Sequence, residues 1–259
     1  MIRFRTYAAV LLATLAGVAA AAYSSRAQPQ NQPSPAAQPQ SPAATAMNRN
    51  LVVLDPAHGG PDAGASLGDH IPEKYTTLAL ATRLRTALTA AGFTVIATRE
   101  GDSADPLTAD QRAEMANRTQ AVACIVLHAT TTGSGVHVFT STLQPMPEDA
   151  ATADSPRVFV PTPWETAQAR FVGQSLRLSD DVKNALATGN LPSIVGRAAV
   201  RPLDNVMCPA VAIEIAPLLV EGGNPTPVTD ADYQQRVANA VTAALKTWRT
   251  HADSRTVPQ

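Results

Sequence analysis

Residues 50–60 read Asn-Leu-Val-Val-Leu-Asp-Pro-Ala-His-Gly-Gly. Four apolar residues, Leu51 to Leu54, stop abruptly at Asp55-Pro56 and run into paired glycines. A short β-branched run followed by Pro and Gly-Gly predicts a buried strand of a parallel sheet that empties into a tight loop. Beyond the C-terminal ends of such strands is where open α/β sheets build their sites, and His58 falls there. One loop histidine is ordinary, so its meaning depends on what stands at the ends of the other strands.

Strand-like and helix-like segments alternate downstream, which predicts a largely parallel sheet covered by helices. After Leu51–Leu54, a helix is expected over Tyr75–Ala91, with Leu78, Ala81, Leu84 and Leu88 on one stripe and Gly92 as its stop. Thr94–Thr98 follows as a strand, then a short helix over Leu107–Arg118 with Thr108 or Asp110 near its N-cap. Residues 121–129, AVACIVLHA, read as a fully buried strand ending near His128, and Gly135–Thr140 as another. A long helix is expected over Trp164–Ala187, a weak strand over Ala198–Leu203, a strong strand over Pro209–Ile215 and a closing helix over Asp230–Thr250. The Pro-rich acidic stretch 143–163, carrying Glu148, Asp149 and Asp154, fits no element; a solvated loop is the expectation, an inhibitory lid the sharper alternative.

The chain begins differently. Arg3 and Arg5 precede an apolar run from Ala8 to Ala22, followed by Ser25 and Ala27 at signal-peptidase spacing. This predicts an export signal over 1–27; the apolar run falls short of the roughly 20 residues of a spanning helix, so no stable membrane anchor is expected after cleavage. Residues 28–47, rich in Gln, Pro, Ala and Ser and without charge, read as a linker that buries no apolar surface. The folded region is then expected over 48–250, with 251–259 as a tail, in the periplasm or cell envelope. Removal of 1–27 leaves 17 basic against 21 acidic residues, a net charge of −4 that argues against nucleic acid as partner. Two cysteines, Cys124 and Cys208, exclude a disulfide scaffold and a Cys-rich zinc module; they either pair in an oxidising compartment or remain two buried thiols.

Several chemical side chains fall at strand ends. His58 follows the first strand, His128 ends the long apolar run, and Glu214 interrupts Ala-Val-Ala-Ile-Glu-Ile. A carboxylate in such a run must be paired, metal-linked or protonated. Two histidines with acidic companions fit an open zinc site of three N or O ligands. Glu73, at the start of the first helix, can supply the third, although its position alone is that of a helix-start carboxylate. His70, His137 and His251 read as structural or surface residues.

The segments VVLDPAHGGPDAGA, PEKYTTLALATRLRTALTAAGFTVIATR, LTADQRAEMANRTQAVACIVLHA, GVHVF and PAVAIEIAPL resemble, in order and spacing, the zinc-dependent N-acetylmuramoyl-L-alanine amidases of amidase_3 type. The resemblance runs from about Asn50 to Thr250. It implies an α/β three-layer αβα sandwich with a twisted, mostly parallel sheet of about six strands. It further implies Zn2+ held by His58, Glu73 and His128, with Glu214 as the catalytic carboxylate. The implied reaction is hydrolysis of the amide between N-acetylmuramic acid and L-alanine, with peptidoglycan as partner and a protein activator as a second. A peptidoglycan-binding module without turnover and a zinc peptidase acting on stem peptides are the alternatives. Ala57 stands where the resembling family has Gly, and Ile215-Ala216-Pro217-Leu218 replace its usual Gly-Phe and Ser-Asn.

Overall fold

The computed structural model describes residues 48–146, 163–219 and 221–254. The expected export signal, the linker and the acidic residues Glu148, Asp149 and Asp154 lie outside these residues. The strands are β1 (Asn48–Pro56), β2 (Thr94–Ala97), β3 (Ala121–Ala129), β4 (Val136–Thr140), β5 (Ser193–Arg197) and β6 (Ala210–Ile215). They form one six-stranded sheet in the order β2-β1-β3-β6-β4-β5. Strands β2, β1, β3 and β6 run parallel; β4 pairs antiparallel with β6, and β5 runs parallel to β4.

The helices are α1 (Glu73–Ala90), α2 (Ala109–Asn117), α3 (Val172–Thr188) and α4 (Ala231–Ser254). On one face of the sheet Val52, Leu54, Ile125, Leu127, Val211 and Ile213 pack with α1, α3 and α4, among them Leu84, Val182, Val237 and Trp248. On the other face Leu51, Val53, Cys124, Val126, Ala210 and Ala212 pack with Ala113 and Ala116 of α2 and with Leu203 and Val206. Burial from both sides explains why β3 is an unbroken apolar run and not an alternating one. Helix α2 starts with the expected Thr108: its Oγ1 accepts from the Gln111 N–H at 3.2 Å, and Gln111 Oε1 accepts from the Thr108 N–H at 2.9 Å. This reciprocal box satisfies two otherwise orphaned donors.

Three expectations are corrected. The stripe of α1 buries Leu80 with Ala81, Leu84 and Leu88, while Leu78 is half-exposed, because the buried face is set by Glu73 and Thr77 at its start. The helix expected over Trp164–Ala187 is two pieces, a 3-10 turn at Trp164–Arg170 and then α3. Thr166 leaves helical geometry at φ −124°, and the turn lets Gln168 point inward, where Nε2 donates to Ser175 Oγ at 2.8 Å and to the Cys208 carbonyl at 3.2 Å. The weak strand expected over Ala198–Leu203 is instead β5, while Leu203–Asn205 forms a 3-10 turn that buries Leu203. As an edge strand with Ile194 and Val195 exposed on opposite faces, β5 lacks the alternation that marks a strand in sequence.

Cys124 and Cys208 form a disulfide, with Cα atoms 6.1 Å apart, which decides between the two readings of the cysteines. It lies in the core layer against α2, on the face that also carries Val126 and Ala212.

Candidate metal centre

The loop after β1 turns back immediately. His58 itself sits in left-handed backbone, φ 64°, followed by Gly59 and Gly60 at φ 136° and 60°. A non-glycine residue there is uncommon and marks a position held by its surroundings. Ala57 keeps a negative φ, so its methyl adds no backbone strain. The holding groups are two buried arginines. Arg112 from α2 donates Nη2 to the His58 carbonyl at 2.7 Å and Nη1 to Asp55 at 2.7 Å and to the Pro56 carbonyl at 2.9 Å. Arg99, just after β2, donates Nε to the Pro56 carbonyl at 2.8 Å and Nη2 to that of Ala57 at 2.9 Å. These guanidiniums satisfy carbonyls that the end of the strand would otherwise leave buried and unpaired.

Glu73 opens α1 and lies almost wholly buried between two histidines. Its Oε2 is 3.1 Å from His58 Nε2, and its Oε1 is 3.0 Å from His128 Nδ1. The backbone N–H groups of Ala65 and Ala129 donate to the same carboxylate, each at 3.0 Å. Burial opposes the charge of Glu73, but the hydrogen bonds from His128, His58 and the two N–H groups outweigh it and hold the carboxyl well below the usual carboxylate range. The hydrogen bond to Glu73 raises the pKa of His58, against the opposing effect of burial. On the far edge of the ring, Asp62 Oδ2 lies 2.9 Å from His58 Nδ1 and so directs Nε2 toward Glu73.

His58, Glu73 and His128 thus meet as expected, each offering an atom within 4.8 Å of the others. Two observations fit this set to a cation. His128 Nε2 is buried with no hydrogen-bond partner, an expense that folded proteins seldom carry. Gly64, at φ 68°, lies so close that a Cβ would stand 2.6 Å from His58 Cδ2 and 2.8 Å from Glu73 Oε2, so only glycine lets the loop close around the pair.

Glu214 is outside this cluster but beside it. In the sheet, His128 of β3 pairs with Glu214 of β6, Glu214 with His137 of β4, and His137 with Ile194 of β5. Paired residues share a face, so the four side chains form one row, with neighbouring strands about 4.8 Å apart. Of the histidines read as structural or surface residues, His137 is a buried one, 8% exposed, with its Nδ1 2.8 Å from Glu214 Oε1. The sequence hid this because the pair is 77 residues apart and meets only through strand register. Asp62 was also missed, although its place four residues after His58 in a Gly-rich loop was a usable signal. His70 and His251 are exposed, as expected.

The family model of N-acetylmuramoyl-L-alanine amidases, Amidase_3, matches residues 52–247. The germination-specific N-acetylmuramoyl-L-alanine amidase of Bacillus subtilis is 46% identical over 57 residues, 22% of this chain and 24% of that protein. AmiA of Escherichia coli is 38% identical over 81 residues, 31% of this chain and 27% of that protein. The matched stretches therefore span about a quarter of the length of these relatives. Among solved structures, the amidase Ami1 of Mycobacterium smegmatis superposes with a TM-score of 0.60 at 22% identity, covering 78% of this chain and 97% of that one. The catalytic domain of CwlV from Bacillus (Paenibacillus) polymyxa does so with 0.55 at 20% identity, covering 77% and 97%. At such identities the likeness is one of fold, and it agrees with the expected αβα layering. The family match contains the histidine–glutamate cluster and the whole row beside it, and by that match the chain belongs to the N-acetylmuramoyl-L-alanine amidase family.

Proposed function

We propose that the chain is a zinc-dependent hydrolase of the amide joining N-acetylmuramic acid to L-alanine in peptidoglycan. The observation that carries this reading is the cluster of His58, Glu73 and His128 lying one strand away from Glu214. Two histidines and one glutamate match the three-ligand pattern of a catalytic zinc, which leaves a coordination position for water or substrate. When bound, zinc supplies Lewis acidity, lowering the pKa of water toward roughly 7 and polarising an amide carbonyl. Glu73 remains a carboxylate at neutral pH and so balances the cation's charge. Asp62 fixes the orientation of His58, and Arg112 fixes the backbone on which that ring is mounted.

Glu214 takes the proton of the attacking water and passes it to the nitrogen of L-alanine as the C–N bond breaks. That role needs a carboxylate near the cation but not among its ligands, and the pairing of Glu214 with His128 across β6 and β3 supports it. The function implies export, and the pattern of residues 1–27 supports delivery to the cell envelope. A protein activator remains part of the proposal, as for a hydrolase whose unrestrained action would damage the wall.

Digestion of purified peptidoglycan by the zinc-loaded chain tests the reading. Free stem peptides with a new L-alanine amino terminus are expected, with Glu214→Gln retaining zinc but losing turnover and His128→Ala losing both. Binding without product would identify a non-catalytic module, and new amino termini within the stem peptide would identify a peptidase; either overturns the proposal.

A further inference from the structure

We infer that His137 is a positioning residue for the catalytic carboxylate, committing one oxygen of Glu214 so that the other alone faces the reacting water. The inference rests on the hydrolase reading given above and adds to it a group outside the ligand and base set.

His137 Nδ1 is 2.8 Å from Glu214 Oε1. A carboxylate only accepts, so the imidazole carries its proton on Nδ1 and donates it. The ring is not free to leave. Phe139, two residues along the same face, meets it edge-on at 6.2 Å between centroids. Over its opposite edge lies Gly133, φ 81°, where a Cβ would come within 2.7 Å of Cε1 and 2.8 Å of Nε2. The loop between β3 and β4 thus presses backbone onto the imidazole, and only glycine permits that approach.

Glu214 has few other restraints. Its side chain is 30% exposed, whereas that of His137 is 10% exposed, so the histidine is the fixed member of the pair. A glutamate has three side-chain torsions, and a partly exposed one samples several orientations. Anchoring Oε1 selects one orientation, leaves Oε2 as the acceptor for water, and keeps the carboxylate from swinging toward the cluster of His58, Glu73 and His128. Proton flow is unchanged: water gives its proton to Oε2, Oε2 gives it to the leaving amine, and the Nδ1 proton of His137 stays in place throughout.

The test combines kinetics with a readout that does not use turnover. In zinc-loaded protein, His137→Phe keeps a ring but removes the donor; kcat is expected to fall about 10- to 100-fold, as for other groups that orient an active-site residue, with KM within threefold and zinc content unchanged. His137→Asn, which places an N–H near the position of Nδ1, is expected to recover most of the loss. Independently, long-range 1H–15N spectra of histidine-labelled protein are expected to show His137 protonated at Nδ1, with that signal moved in Glu214→Ala. A Phe variant within twofold of the natural kcat, an Asn variant no better than Phe, or a His137 protonated at Nε2 alone overturns the inference. If His137→Phe does not fold, the Asn variant and the spectra decide the matter. Absence of amide hydrolysis by the natural chain would sink the hydrolase reading, while the spectra would still report whether the two side chains are coupled.

Discussion

Asp62 and His58 are four residues apart, and Asp62 Oδ2 meets His58 Nδ1 at 2.9 Å on the edge of the ring away from Glu73. The contact orients the ring of His58 with Nε2 turned toward Glu73, the side from which it would ligate a cation. Asp62→Ala is expected to weaken zinc binding about 10- to 100-fold without changing the fold. Competition with a chromophoric chelator measures it, and an unchanged affinity would show that the loop alone orients the ring.

The metal-free protein should have a distinctive pH dependence. The hydrogen bond to Glu73 raises the pKa of His58 above its ordinary value of 6.5, despite burial. A raised histidine stabilises fully below its unfolded pKa, and that contribution is lost as pH rises through the folded value. Glu73, depressed from 4.5, behaves oppositely: its contribution is present above the unfolded value and lost only in acid. Chelator-treated protein is therefore expected to lose Tm as pH rises above 6.5, and His58→Gln to lose less over the same interval. Zinc affinity should rise across that interval, because the proton on His58 must leave before the metal binds. Parallel melts of the two proteins would decide it.

Arg112 and Asp55 form an ion pair at 2.7 Å, with both side chains under a tenth exposed. Arg112→Met leaves the Asp55 charge buried and unpaired and also frees the His58 carbonyl. A loss of about 3–5 kcal/mol in urea unfolding is expected, together with weaker zinc binding. The double variant Arg112→Met with Asp55→Leu should recover stability but not affinity, separating buried charge from the role of Arg112 in holding the loop.

The disulfide closes a separation of 84 residues between β3 and the segment before β6. Replacing Cys124 and Cys208 by Ala is expected to cost about 2–5 kcal/mol. Zinc stoichiometry should persist, since His58 and Glu73 reach the site from the loop after β1 and from α1, and β3, which carries both Cys124 and His128, is held by its pairing with β1 and β6. Denaturant curves with metal analysis on the same samples check both statements.

The sequence made the site legible wherever chemistry was concentrated locally. The arrest of Leu51–Leu54 at Asp55-Pro56 and the apolar run ending at His128 located two strand ends, and Glu214 stood out because a carboxylate is costly in a buried strand. What stayed hidden depended on distance or on weak local pattern. His137 acquires its role only when β4 is set against β6 in the right register. The break at Thr166 follows from the inward demand of Gln168, which no periodicity reports. Strand β5 escaped notice because an edge exposes both faces.

The reversal of β4 relative to β6 carries a consequence of its own. Were the two strands parallel, a histidine in the second position of β4 would emerge at the opposite rim of the sheet from Glu214. Reversal brings the beginning of one strand beside the ending of its neighbour, and the stretch from Thr130 to Gly135 acts as a ruler that decides which residue arrives there. Because side chains alternate along a strand, a one-residue slip would turn His137 into the helix-covered core and bring an apolar neighbour to Glu214. The length of that turn is therefore a chemical parameter of the protein, as consequential as the identity of any ligand.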